Sequence, residues 1–541
     1  MKKLLTSNRK LILIFVLALL IRTWKLSTYP LGFHADEVRV GWNAWSILKT
    51  GADDRGNHFA LYYNTFGDYR PTGIFYITIP SLFLFGINEF ATRLPSALLG
   101  ALTVFPLYFL AEKLTKNKRI GLLSAIFLAI TPWHLATSRS TSEVVVACFF
   151  ILISLSLFIA GLDSKSKKKI YYSFLLLSLS FLFYHSARIV GPLLMLAFVF
   201  NYKKQIASLH LTKVASYLFL GMAIVSLILL LGKSGQSRLS QISLTSVDNL
   251  KILGITTSTK KDFVLDNKPM RLTRALILQY TSYFSPDFLI GDNAKPYRYR
   301  ILGLGIVSIP IFCLFILGLV LIIKDNKSNF LLILLAIGPL PASVTYEDSP
   351  NLHRAFLMLP FILMIAGIGT DYLAKKHHML GKIIFIIIIF RFANFVFYYV
   401  SPDSSESYQY RSPQAKEVAL YIGESQKIYD KIYVTNEPDI PYPWYAFFNY
   451  LNPKEFNKDV IKRELGVWNY KNIVWTESRC PTGQAFDEAK NELSISKVLV
   501  IDNGNCEPKG FERLHPEANI IKEFYFSGKL AFRAWEYKPA R

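Results

Sequence analysis

Tyr69-Arg-Pro-Thr-Gly-Ile-Phe-Tyr-Ile-Thr-Ile-Pro-Ser-Leu-Phe-Leu-Phe-Gly-Ile87 is the stretch whose reading threads the whole chain. It is apolar enough to cross a bilayer, yet Pro71, Gly73 and Pro80 interrupt it, which suits a broken helix at a membrane surface better than a straight span. The next apolar stretch, Ala91–Leu114, is followed by Lys116, Lys118 and Arg119. If both stretches cross, that cluster and every later basic loop faces outward, against the bias of Lys and Arg toward the cytoplasmic side. If 69–87 lies along the outer surface instead, five clusters fall inside: Lys116–Arg119, Lys165–Lys169, Lys203 with Lys204, Lys324 with Lys327, and Lys375 with Lys376. One non-spanning segment repairs five loops, so the sequence predicts a surface helix near 69–87.

Working outward, the 541 residues are 52% hydrophobic. The apolar residues come in runs of roughly 20, the length that crosses a ~30 Å hydrocarbon layer. The basic segment Met1–Lys10 precedes an apolar run without a small-residue cleavage site, which reads as a signal anchor with the N-terminus inside. The predicted spans are 11–28, 91–113, 119–137, 143–162, 170–186, 188–202, 213–232, 301–324, 329–345, 355–373 and 380–400. These about eleven crossings place the C-terminus outside. The expected class is a multi-pass α-helical membrane protein, residues 1–400, with outer loops 27–90 and 233–300. A soluble extracytoplasmic α/β domain follows at 401–541, with strands at Lys431–Val434, Ile473–Trp475, Val498–Ile501 and Ile520–Phe526 and helices at Ser412–Ser425 and Ala485–Leu493.

The formal net charge of +23 invites a nucleic-acid reading, but its clusters adjoin apolar runs, as cytoplasmic loops do. Of four cysteines, Cys148 and Cys313 fall in apolar runs. Cys480 and Cys506 lie in the outer domain, where a disulfide is chemically permitted. No zinc-ligand spacing is present, and Gly232-Lys-Ser-Gly235 lacks the spacing of a phosphate-binding loop.

With this threading, ionisable residues collect at the outer span ends: Asp36, Glu37, Asp68, Arg70, Arg139, Glu143, Arg188, His353 and Arg354 among them. Adjacent carboxylates such as Asp36 and Glu37 are commonly a solvated turn. Their functional reading is that one removes a proton from an acceptor hydroxyl while the other holds it in place or contacts the acceptor. Arg70, Arg188 and Arg354 either snorkel to headgroups or bind a phosphate, which the guanidinium fork suits. Carboxylates and arginines at a lipid surface fit a phosphorylated lipid as substrate, with Asp68, Glu143, Arg139 and His353 supporting the site.

Taken in order, these residues resemble a known family. Asp36-Glu37 after the first span, Asp68-Tyr-Arg-Pro71, Phe85-Gly-Ile-Asn-Glu-Phe-Ala-Thr-Arg-Leu-Pro95, Leu98–Leu110, Tyr280–Leu289 and Asn351–Pro360 resemble the family-39 membrane glycosyltransferases. That family includes protein O-mannosyltransferases and the bacterial aminoarabinose transferase of lipid A. The resemblance covers roughly residues 10–400 and implies a C-type glycosyltransferase fold that takes a sugar from a polyprenyl-phosphate donor on the outer face of the cell membrane. It maps the catalytic carboxylate onto Asp36 and a donor-phosphate contact onto Arg70, where the family often has Lys. It maps the second acidic position onto Glu143, usually Asp, and a further phosphate contact onto Arg354. It implies inversion at the anomeric carbon, no obligatory cofactor or metal, and a protein, glycan or lipid acceptor. A lipid-linked glycan flippase remains the alternative from another class, and an idle anchor presenting 401–541 a third. A flippase is expected to carry mid-membrane charges and paired halves.

Overall fold

A computed structural model describes residues 2–541 except 66–67, 233–234, 237–239, 241–242, 244–267, 326–328, 402–407, 436–441, 458–467, 477, 484, 486–496, 507–517, 527 and 538–541. The chain is mostly helical up to Val400. The helices are α1 (Lys2–Thr23), α2 (Ala35–Thr50), α3 (Gly73–Phe85), α4 (Glu89–Leu102), α5 (Val104–Thr115), α6 (Lys118–Ile130), α7 (Pro132–Ser138), α8 (Glu143–Asp163), α9 (Lys167–Ser180) and α10 (Ala187–Asn201). Beyond these lie Thr212–Leu231, Lys268–Ser282, Ile309–Asp325, Asn329–Ile337, Leu359–Lys376 and His378–Val400.

Among the described residues, five helical stretches are long and apolar enough to cross a membrane: Glu89–Thr115, Glu143–Asp163, Thr212–Leu231, Phe356–Lys376 and His378–Val400. A sixth is added if α6 and α7, bent by 55° where Pro132 follows Thr131, count as one. The chain is an integral membrane protein. Phe356–Lys376 is buried within the bundle, against α6 and Ile309–Asp325. Thr212–Leu231 and His378–Val400 expose most of their apolar surface, as lipid-facing helices do.

The deciding stretch 69–87 divides in two. Its first residues lie in β2 (Asp68–Pro71), paired antiparallel with β1 (Tyr62–Thr65) so that Tyr63 faces Arg70. Helix α3 begins at Gly73 and has 13 residues, Pro80 inside it. At 1.5 Å per residue that is about 20 Å, short of a ~30 Å hydrocarbon layer. Of the expected outer loop 233–300, residues 244–267 lie outside the described residues, as does most of the expected helix Ala485–Leu493.

The chain forms two compact units. One comprises Met1–Trp24, Leu61–Ile74 and Ser96–Tyr398; the other comprises Lys25–Ala60, Phe75–Pro95 and Tyr399–Arg541. The segment Lys25–Ala60, which bears Asp36 and Glu37, thus clusters with the C-terminal part of the chain.

The second unit holds a six-stranded mixed sheet in the order β4-β5-β3-β6-β8-β7. Its strands are β3 (Lys431–Thr435), β4 (Trp468–Tyr470), β5 (Ile473–Thr476), β6 (Val498–Asn503), β7 (Ala518–Phe526) and β8 (Lys529–Tyr537). β3 runs parallel to both β5 and β6, and the other pairings are antiparallel. Every residue of β6 is buried, as an apolar strand covered on both faces should be. Tyr433, Val498, Val500, Trp535 and Tyr537 form one core cluster of the sheet. Cys480 and Cys506 are joined by a disulfide, and Cys506 sits just past the end of β6.

One carboxyl in this sheet sets a pH dependence. Burial pushes Asp502 up to about 7, and a hydrogen bond from Thr482 and the charge of Arg533 offset only part of that shift. An unfolded Asp releases its proton near ~3.9. Between about pH 4 and 7 the folded sheet therefore keeps a proton that the unfolded chain has lost, and stability falls as pH rises through that window, levelling off above it. Asp502→Asn is expected to remove this fall, a gain on the order of 3–4 kcal/mol at pH 8 and none at pH 4. Hydrogen exchange of β6 and β8 in the full chain measures it; equal wild-type protection at both pH values refutes it.

Candidate active site

In the second unit, the site grows from the start of α2. His34 is its N-cap, with extended backbone, and Glu37 completes a capping box. The Asp36 N–H donates to His34 Nδ1 at 3.1 Å, and the His34 N–H donates to Glu37 Oε2 at 3.2 Å. A ring nitrogen that accepts carries no proton, so His34 holds its hydrogen on Nε2. The 3.6 Å separation of its Nδ1 from Asp36 Oδ2 is then a contact and not a hydrogen bond. Two carboxylates in the first turn also suit the positive end of the helix dipole.

The neighbouring carboxylates have opposite circumstances. Glu37 is buried, and its oxygens accept from Arg93 Nε at 3.0 Å, Arg93 Nη2 at 3.3 Å and Arg411 Nη2. Arg93 itself is buried and donates to the Leu26 and Gly32 carbonyls. The Asp36 side chain is 15% exposed against 3% for Glu37. Glu37 is committed to holding the loop, and Asp36 is the more exposed of the two.

The first unit assembles a separate cationic and aromatic cluster. Arg70 lies half-buried in β2, and the carbonyl of Tyr69 beside it meets His185 Nε2 at 2.9 Å. A carbonyl only accepts, so His185 carries its proton on Nε2 and its Nδ1 accepts from Arg188 Nη1 at 3.0 Å. Arg188 is buried, donates also to the Phe181 and Leu229 carbonyls, and packs over the Tyr62 ring. Its guanidinium braces the β1–β2 hairpin. Adjacent Tyr184 meets the edge of His353 at 5.6 Å, which ties the hairpin to a second group.

In that group His353 stacks on Tyr299, with ring centroids 4.5 Å apart, and its Nε2 lies 2.9 Å from Ser142 Oγ. Ser142 caps α8, so Glu143 opens that helix directly beside this contact. Arg354 donates to the Glu347 carbonyl at 2.6 Å and to its Oε2 at 2.7 Å, while Asn351 Oδ1 accepts the N–H groups of both His353 and Arg354. Glu347 is exposed, while Arg354 is itself buried with its guanidinium engaged by that carboxylate. Arg139 donates to the Ile21 and Trp24 carbonyls at the end of α1. The Asp68 side chain lies outside the described residues. Among those described, no group of three or more His, Cys, Asp or Glu is placed to hold a metal ion.

Sequence reading passed over Arg93, Arg411, Tyr184 and Tyr299. Arg93 had a usable signal, a guanidinium inside the amphipathic apolar stretch 89–102. For Arg411 there was none, because its partner is 374 residues away.

Three comparisons bear on the whole. Residues 69–230 match the family described as dolichyl-phosphate-mannose-protein mannosyltransferase. A protein of Aquifex aeolicus (strain VF5) is 32% identical over 148 residues, 26% of this chain and 28% of that relative's length. Two crystal structures of ArnT from Cupriavidus metallidurans share the fold. The apo form has TM-score 0.53 at 11% identity and the undecaprenyl phosphate-bound form 0.52 at 12%, covering 98% and 97% of each chain respectively. The resemblance drawn from the ordered motifs is borne out, and the fold is that of the C-type membrane glycosyltransferases.

Proposed function

With residues 69–230 in the dolichyl-phosphate-mannose-protein mannosyltransferase family and the ArnT fold along the chain, we propose a membrane glycosyltransferase that moves a sugar from a polyprenyl-phosphate donor to an acceptor hydroxyl. The observation that carries the mechanism is the division of labour between Asp36 and Glu37. Asp36 is the general base. It takes the acceptor proton as the acceptor oxygen bonds to the anomeric carbon, and the bond from that carbon to phosphate oxygen breaks with inversion. The electron pair leaves with the polyprenyl phosphate, whose charge Arg70 and Arg354 offset. Glu143 and His353 support the acceptor side, and Arg188 keeps the hairpin that bears Arg70 in shape. The reaction takes place on the outer face of the cell membrane, with the N-terminus cytoplasmic and residues 401–541 outside.

Undecaprenyl phosphate bound to ArnT supports a lipid phosphate as the leaving group. Incubating the purified chain with a labelled polyprenyl-phosphate sugar tests the reading: transfer of label with release of lipid phosphate is expected, and movement of intact donor across a vesicle without release favours a flippase. Arg70→Ala is expected to raise the donor KM about 10–100-fold, the worth of one charge-assisted hydrogen bond. An unchanged donor KM removes Arg70 from the phosphate site.

A further inference from the structure

The helix that carries Asp36 is held by the C-terminal part of the chain at several independent points. Arg411, 1% exposed, donates to Glu37 Oε2, the residue next to Asp36. Trp444 Nε1, also buried, donates to the Phe33 carbonyl at 2.6 Å, one residue before the N-cap. Asn457 Nδ2 donates to Ser46 Oγ at 2.8 Å farther along α2. At Gly32 the backbone turns with φ +81°, and a Cβ there would lie 2.5 Å from the Arg411 carbonyl oxygen. The chain therefore reverses directly against Arg411, in a conformation that only glycine adopts without strain.

These contacts share a geometry. Phe33, His34 and Glu37 bracket Asp36, and each has its backbone or carboxylate fixed by the capping box, Arg93, Arg411 or Trp444. A general base needs its carboxylate held to within a fraction of an ångström of the proton it takes. Arg93 spans both Glu37 oxygens with its Nε and Nη2, and Arg411 adds a second guanidinium on Oε2, so the carboxylate is held by two buried cations rather than one.

Resting on the proposed transferase reading, we infer that Arg411 is a positioning residue for the reaction, acting on Asp36 through Glu37. Residues 399–541 are then a structural half of the catalytic loop and not only an accessory or acceptor-binding module.

The test uses the full chain, purified in detergent, with a labelled polyprenyl-phosphate sugar. Arg411→Met keeps the length of the side chain and removes the charge. It is expected to lower kcat at least tenfold, with the donor KM changed less than twofold. Arg411→Lys, which donates to one oxygen of Glu37, is expected to recover part of that kcat. A role in stability alone would lower the folded yield and leave kcat per folded molecule at the wild-type value. Wild-type kcat in Arg411→Met overturns the inference. If Arg411→Met does not fold, Trp444→Phe decides together with Arg411→Lys, since it removes only the donor to Phe33: wild-type kcat in both overturns the inference equally. A wild-type chain that transfers sugar while the Arg411 variants match it defeats this inference alone; full transfer by Asp36→Asn defeats the reading beneath it.

Discussion

Asp36→Asn is expected to reduce sugar transfer to background, a loss of about 10²–10⁴ or more, the range for removal of a general base. The substitution keeps the size of the side chain and both capping hydrogen bonds around it, because these use the Asp36 backbone and the Glu37 carboxylate. It forfeits one favourable charge at the start of α2, about 0.3–1 kcal/mol. Membrane insertion, yield and thermal midpoint should therefore stay close to wild type while product formation disappears. Asp36→Glu is a useful companion, since it retains the base but displaces it by a methylene. Transfer by Asp36→Asn at the wild-type rate rules out Asp36 as the base.

Glu37→Ala is expected to act by another route and to be the most damaging change to folding. Removing this carboxylate leaves the Arg93 and Arg411 guanidiniums buried without the anion between them, a cost of about 3–5 kcal/mol when one partner of a buried pair is lost. The loss should show as a low folded yield and a depressed thermal midpoint, in contrast to Asp36→Asn. The double variant Glu37→Ala, Arg411→Met removes one of the stranded cations and should recover part of the midpoint, because contacting residues couple. A change below about 1 kcal/mol in Glu37→Ala contradicts the clamp.

Much of the frame was legible. Apolar runs follow from the low polarity of the bilayer, which acts on every spanning helix alike and writes itself into local sequence. The strands at 431, 473 and 498 were visible because buried parallel strands are continuous apolar runs, and the one at 520, an antiparallel edge strand, by a short apolar run of its own. β8 was not, although Gly528 with φ +74° turns the chain into it, because Arg533 and Glu536 interrupt its alternation. At the site, the Asp-Glu pair stood out as a pair of chemically similar groups. Only burial separates their roles, and burial of Glu37 is decided by Arg93 and Arg411, which local sequence around residue 37 does not contain. Likewise Arg188 looks like Arg70 in sequence, and it is the His185 and Tyr62 contacts that make it a brace.

The span of 374 residues between Glu37 and Arg411 has a consequence for biogenesis. At roughly 5–20 residues per second, the ribosome needs on the order of 20–75 s after emitting Glu37 before it reaches Arg411. Through most of that interval the segment that bears Glu37 has its carboxylate clamp half-built, with Arg93 made and Arg411 still to come. The clamp around Glu37 is thus completed only after residue 411 has been made, and a chain that stalls or is cut before it leaves Glu37 without its second guanidinium.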